Sequence, residues 1–504
     1  MKKSTLAIAI PLAIVGVSVA GAWYTSSRVE QEITRGINEA NAILKSDAPE
    51  LGMTVSLLGV ERGLFSSNAR YQVTIAGTEG ETPKTLAIAD RLEHGPFPVS
   101  RLASGKLMPV MAQSHFALEQ NDFTAPLFAA AAGKAPISGE LAIHYNQKQE
   151  GVIEMAALQY AKDGESMRLS PALVNVSVSG DRKDVRIDGK LAEADLVLLD
   201  PEDGTPIRVE LRDLGLQGDK KENANGFALG PSSVNVKSLR IKSESLPEVE
   251  LRDTIGEELL KQGEKGLDQT LSYRVGKLMV QGQEVGSVKL DTSLRNMDEA
   301  ALKSIKEAYN RVLSENRQGQ EEELAPAQEE ALKAEFLRML DNSPKLALDE
   351  FSLQTAHGVA KVSFAVDLRK VDPAAKTPDE IARSVLASLQ ADVKVDKAVI
   401  GDIATLQGTL GQDAGSVDLA ALKQQSDAMT DMFSGMALDS QWAVLDGNSL
   451  STSLAYANDK VKFNGKDMSV QEFMAFAMAS AQGLGLGDGA AAGAEEEPQQ
   501  EELE

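Results

Sequence analysis

The chain has 504 residues, 51 Lys and Arg against 75 Asp and Glu, a formal net charge of −24, and no cysteine. That length exceeds what a single hydrophobic core fills, so two or three packed subdomains are expected. The acidic field repels phosphate backbones and anionic lipid headgroups and excludes nucleic acid as a partner, while the lack of thiols excludes disulfides, thiolate metal sites and cysteine nucleophiles.

Lys2 and Lys3 precede an uncharged run from Ser4 to Ser27 that is apolar from Leu6 to Tyr24. At ~1.5 Å per residue this run is long enough to cross a ~30 Å hydrocarbon layer. The lysines hold its start in the cytoplasm, Trp23 and Tyr24 fall at the outer membrane interface, and Arg28, Glu30 and Glu32 follow in water. Residues 1–27 therefore read as a single transmembrane anchor. Ala20-Gly21-Ala22 also suits a signal peptidase, so a cleaved signal peptide is the competing reading. Either one exports the rest of the chain.

Residues 28–48 put Val29, Ile33, Ile37, Ala40 and Leu44 on one helical face, as a stalk or a first packing helix. From 49 to 292 the apolar period drops to two. "RYQVTIAG", "ALVNVSVSG", "DVRIDGKL" and "PIRVEL" alternate apolar and polar residues between Asp, Gly, Asn and Pro turn clusters, the pattern of an antiparallel meander with one apolar face. Within this region "RDTIGEELLKQGEKGLDQTL" (252–271) reads as a glycine-broken helix.

A helical insertion is expected over 293–345, with an apolar stripe at Leu302, Ile305, Ala308 and Leu313. Residues 346–482 return to strands. There Asn458-Asp459 and Asn464-Gly465 mark two hairpin turns, and Ser469 with Glu472 forms a capping box ahead of a last helix. Residues 483–504 are a disordered acidic tail that cannot bury a core. The fold class expected is α+β: extended antiparallel β-meander sheets packed by amphipathic helices, with one N-terminal transmembrane helix.

Candidate chemistry is sparse. The four histidines, His94, His115, His144 and His357, show no metal-ligand spacing. In "EHGPFPVSRL" neighbouring residues of an extended strand point to opposite faces, so Glu93 does not orient His94. Pro96 and Pro98 fix the backbone and cannot donate to a ladder. His94, Gly95, Pro96, Phe97 and Pro98 thus form a structural or partner-docking corner, in which Phe97 can plug a core edge. The G-x-G-x-x-A match at Gly485 to Ala490 has no strand before it and is noise. No catalytic residue, cofactor or metal is expected.

"GAWYT", "ERGLFSS" (61–67), "EHGPFP" (93–98) and "LAYANDKVKFNGKDMSVQEF" (454–473) together resemble the YdgA-like proteins, a bacterial family of unknown function. The resemblance runs from residue 1 to about 478. It implies a Gram-negative inner-membrane protein with one anchor and a periplasmic body, with a homodimer as its candidate assembly, and it supplies no catalytic residues.

Three functions are compatible with this reading. The first is a non-enzymatic, inner-membrane-anchored periplasmic protein that acts as a binding or scaffold module for another envelope protein or itself. The second is a lipid-handling protein whose curved sheet offers acyl chains of a phospholipid an apolar groove, in the manner of AsmA-type proteins. An envelope hydrolase is a remote third. The first two differ in what covers the apolar sheet face: the chain's own helices, or a ligand.

Overall fold

The computed structural model describes residues 29–47, 51–77, 82–200, 203–244, 246–316, 326–410 and 418–483. The apolar run with Trp23 and Tyr24, and the acidic tail beyond Gly483, lie outside these residues. Among the described residues no helix is long and apolar enough to cross a membrane. The chain divides into two compact units, Met1–Gly282 with Arg295–Asn342, and Gln283–Leu294 with Ser343–Glu504.

The first unit opens with β1 (Met53–Arg62), β2 (Ser66–Ile75), β3 (Lys84–His94), β4 (Ala112–Leu118) and β5 (Ile137–Ile143). It continues through β6 (Gln149–Met155), β7 (Leu158–Lys162), β8 (Glu165–Leu169) and β9 (Ala172–Val178). Five long strands complete it: β10 (Asp184–Leu199), β11 (Pro206–Glu222), β12 (Ala228–Lys242), β13 (Val249–Gln262) and β14 (Leu267–Val280). From β1 to β6 each strand pairs antiparallel with the next. β6 and β7 form one interrupted arm of a hairpin, β8 and β9 the other, and both parts of the second arm pair with β10. The meander then proceeds strand by strand to β14. Residues 252–271, read above as a helix, lie instead in the β13/β14 hairpin, where Glu257 to Leu260 face Ser272 to Gln269. Tertiary pairing overrides a sequence whose Glu and Leu content favours helix.

The helix Val29–Asp47 belongs to this unit's core. Ile33, Ile37, Ala40 and Leu44 are buried, and three of them join a cluster with Val55, Tyr71, Val73, Leu86, Ile88, Phe116, Leu141, Ile153 and Val176. β1 is a sheet edge, and Asn41 satisfies it: its amide donates to the Val55 carbonyl at 2.8 Å and accepts from the Val55 N–H at 2.7 Å. The helices Glu299–Asn316 and Pro326–Met339 close the unit. Asp298 caps the first through the Ala301 N–H at 2.9 Å.

The second unit includes the first part of β15 (Gln283–Met297), then β16 (Lys345–Gln354), β17 (Val359–Leu368) and β18 (Leu386–Asp396). It ends with β19 (Val444–Asp446), β20 (Ser449–Ala457), β21 (Lys460–Phe463) and β22 (Lys466–Ser469). β16, β17, β18 and β20 pair in that order, and β19 and β21 share the far edge of β20. Asn458, Asp459, Asn464 and Gly465 all adopt positive φ, which makes the two hairpin turns of the primed type their sequences indicate. Trp442, Phe463, Phe473 and Phe476 stack at centroid distances of 5.3–5.6 Å and seat the last helix on β21.

The capping box is present. The Ser469 N–H and hydroxyl both donate to Glu472 (2.7 and 2.9 Å), and the Glu472 N–H donates back to Ser469 Oγ at 3.2 Å. Ser469→Ala should therefore lower the stability of the second unit by roughly 1 kcal/mol, read as a shift in its chemical denaturation midpoint.

Candidate functional site

Two surfaces of the first unit stand out, and the corner at residues 93–98 carries one of them. Gly95–Pro96 is a cis peptide. The Gly95 N–H donates to the Met111 carbonyl at 2.8 Å and the Val110 N–H to the Pro96 carbonyl at 3.0 Å, which ties the corner to the start of β4. His94 Nδ1 lies 3.2 Å from the Leu64 carbonyl and Nε2 3.0 Å from Ser67 Oγ. A carbonyl only accepts, so Nδ1 carries the proton and Nε2 accepts from the serine. His94 thereby fastens the β1/β2 turn to the corner. Phe97 does not plug a core edge: it is 52% exposed, because the chain leaves the sheet at Gly95 and carries it outward. Leu64, Phe65, Val99, Leu107 and Met108 are exposed around it.

Glu93 and His94 do turn apart. Glu93 is buried and accepts from the N–H and hydroxyl of Ser100 at 3.0 and 2.8 Å. Burial pushes its carboxyl up, but the Ser100 hydrogen bonds, with His115 and Arg91 nearby, outweigh this and hold it below the ordinary carboxylate range. Sequence reasoning missed His115 here. Its Nε2 lies 3.0 Å from Ser100 Oγ and its Nδ1 3.6 Å from Glu140, a Ser-His-Glu order in space. The constellation is not a nucleophile with its base, because Ser100 gives its single proton to Glu93 and must accept from His115. The Glu140 contact is also too long for an orienting hydrogen bond.

The second surface is the apolar face of β10–β14. Register aligns Leu196, Val209, Ile241, Val249 and Val280 in one cross-strand row, and Ala194, Leu211, Leu239, Leu251 and Leu278 in the next. Two further rows hold Leu191, Leu214, Val236, Thr254 and Val275, then Gly189, Leu216, Val234, Gly256 and Tyr273. Between the second and third rows runs a crease through Asp213 and Asp253, both at φ 51°, a left-handed conformation that Asp tolerates. The apolar alternation slips phase at this crease. Leu191 on one side packs in a single cluster with Leu196 and Leu211 on the other, so the rows share one face.

That face is partly exposed, with most of its positions intermediate and Gly189, Ala194 and Gly256 buried. Leu216 is 44% exposed and Ile241 42%. Among the described residues, none of the three buried clusters holds a residue of β12–β14 or of the helices Glu299–Asn316 and Pro326–Met339. Four rows, two residues apart except for three across the crease, span ~23 Å, and five strands span ~19 Å across.

The reverse face is charged. Glu250 accepts from Arg252, Ser238 and Arg240, and the Arg252 hydrogen bonds, working against burial, hold its carboxyl down at about 2. An open groove of about 740 Å³ lies on this side. Its charges pair across strands, Arg186 with Asp219 at 3.0 Å and Arg274 with Glu257 at 3.2 Å, as a solvated ladder does. His144 and His357 face Glu150 and Asp402 at 2.9 and 2.7 Å. Among the described residues no group of three His, Asp or Glu is placed to hold a metal ion.

The molecule is thus an α+β protein organised by a long antiparallel meander. Residues 1–471 match the family described as "Bacterial protein of unknown function (DUF945)", and the chain belongs to that family. It is similar to Protein YdgA of Escherichia coli strain K12, with 27% identity over 502 residues, 95% of this chain and 97% of that protein. It is also similar to the uncharacterized protein YihF of the same strain, with 25% identity over 494 residues, 95% of this chain and 99% of that protein. An uncharacterized protein of Haemophilus influenzae is 26% identical over 162 residues, 32% of this chain and 44% of that protein.

Proposed function

We propose that the chain is a non-enzymatic, inner-membrane-anchored periplasmic protein that handles lipid, carrying acyl chains on the aliphatic face of β10–β14. The observation that carries this reading is the set of four cross-strand rows, aliphatic at most positions, partly exposed, and backed by a charged reverse face. A soluble sheet of this size ordinarily covers such a face with helices. The helices that a scaffold role would lay over the face do not cover these rows: the first two pack against each other, with Glu299 held by Asn223, Asn225 and Gln262 at the strand ends, and the last packs within the second unit, which leaves acyl chains as the fitting cover. One leaflet's acyl chain, ~15 Å long, fits within the ~23 Å run of the rows. The apolar run from Leu6 to Tyr24 supplies the anchor.

Lipid extraction from the purified full chain tests this. Leu216→Glu with Ile241→Glu places two charges on the face at half-exposed positions, where folding tolerates them. The parent chain should retain several-fold more phospholipid per mole than this variant. Equal retention would refute the reading.

A further inference from the structure

We propose that the loops at 63–65 and 95–108 form a lipid-facing surface that dips into the headgroup region of the membrane from which the chain emerges. The inference rests on the anchored part of the reading above and is independent of acyl carriage on β10–β14.

Three observations carry it. The first is exposure. Leu64 is 81% exposed, Phe65 78%, and Leu107 and Met108 70% and 74%, with Phe97 and Val99 beside them. Hydrogen bonds from His94 to the carbonyls of Leu64 and Phe65 hold the two loops together, so these exposed side chains lie at one end of the sheet. Apolar exposure gathered in this way marks an interaction surface.

The second is charge. The chain carries −24 overall, yet residues 62–66 and 95–110 contain Arg62, Arg101 and Lys106 and no Asp or Glu. Leu, Phe and Met interleaved with basic residues suit an anionic membrane interface, where the apolar side chains enter the acyl boundary and the cations stay among the headgroups. The loops carry no acidic side chain of their own, Glu61 borders them and the buried Glu93 is held by Ser100, so the repulsion that the overall charge suggests is weakened there.

The third is position. Asn41 is bonded to Val55, so the helix Val29–Asp47 and β1 run back alongside each other from the turn between them. From Asn41 to Val29 the helix rises ~18 Å, and from Val55 to Glu61 the strand rises ~20 Å. Glu39 of the helix pairs with Arg182 in the β9/β10 turn, which the register places at the same sheet end as Leu64 and Phe65, so the helix meets that end of the sheet. Tyr24, the last apolar residue of the membrane-length run, is joined to Val29 by a stretch no longer than ~17 Å. A chain leaving a bilayer at Tyr24 delivers this patch to the bilayer surface.

The natural absence of cysteine makes the test direct. Single substitutions Phe65→Cys, Leu107→Cys and Leu246→Cys, the last an exposed control in the β12/β13 turn at the opposite strand ends, take a nitroxide in the full chain, reconstituted into phosphatidylethanolamine and phosphatidylglycerol vesicles. The ratio of oxygen to nickel-chelate accessibility should be about threefold or more higher at 65 and 107 than at 246, as apolar surroundings favour oxygen and exclude the chelate. A chain that floats with the vesicles while 65 and 107 match 246 overturns this inference alone. Probes shielded equally from oxygen and chelate mark a protein-covered patch and also overturn it. A chain that does not float overturns the anchored reading and this inference with it. Acyl carriage is judged separately, by lipid retention in the Leu216→Glu, Ile241→Glu variant.

Discussion

Gly95→Val should destabilise the first unit by about 3 kcal/mol or more, enough to lower its melting temperature by roughly 5 °C. A Cβ at this position would stand 1.9 Å from the Val110 carbonyl oxygen and 2.7 Å from that of Met111. Both oxygens belong to backbone that cannot easily retreat: the Met111 N–H is bonded to Ile143 and the Val110 N–H to Pro96. The clash is with the main chain, so no rotamer change relieves it. Calorimetry on the full chain checks the shift. An unchanged first transition would mean that the corner moves freely from β4, and the loops it carries would then not be held in place.

Asp90→Asn should act in the opposite direction, and in a pH-dependent way. Asp90 is 6% exposed in β3, with Ser114 donating to it at 2.7 Å and Tyr71 at 3.4 Å. Burial raises its carboxyl to about 6, against the opposing pull of these two hydroxyls and of His115. Burial likewise pushes the Tyr71 hydroxyl well above its ordinary range, with Asp90 adding to the effect.

The folded chain thus holds the Asp90 proton more tightly than the unfolded chain, whose carboxyl titrates near ~4. Stability from this group is fully present below ~4 and is lost as pH rises through about 6. The deficit above that window is on the order of 3 kcal/mol. An asparagine keeps an acceptor for Ser114 and has no charge to desolvate. The variant should match the parent near pH 4 and exceed it by about 2 kcal/mol at pH 7.5, with a flatter profile between. Urea titrations at the two pH values measure this. A variant less stable at pH 7.5 would show that the ionised carboxylate is itself required.

Much of the meander was legible because its strands obey a period of two and its turns carry the residues that positive φ demands. The Asn458-Asp459 and Asn464-Gly465 turns and the Ser469 box belong to this class, since each depends on a few adjacent residues. The 252–271 hairpin was not legible, because its pairing partners outvote local propensity. The crease was hidden for another reason. Asp213 and Asp253 look like ordinary polar positions, and only the phase slip, Leu211 to Leu214 and Leu251 to Thr254 three residues apart, betrays it.

The same slip across β10–β14 could have located the aliphatic face, because apolar residues three apart in successive strands keep one face only if the backbone turns over between them. The Ser100 and His115 contact had no sequence signal. It depends on the register of β3 with β4, which brings Arg91 opposite His115, and on the path of the corner. Phe97 was placed wrongly because a proline pair fixes local backbone without fixing the direction in which it leaves the sheet.

The central claim is that acyl chains lie on one face of β10–β14. Photocrosslinking in living cells tests it most directly, with benzoylphenylalanine placed in the full chain at Leu216 or Ile241 on the aliphatic face, and at Asp219 on the charged face. Covalent phospholipid adducts at 216 and 241, and none at 219, are the predicted result. Adducts to protein alone at 216 and 241, or equal lipid yields on both faces, would contradict it.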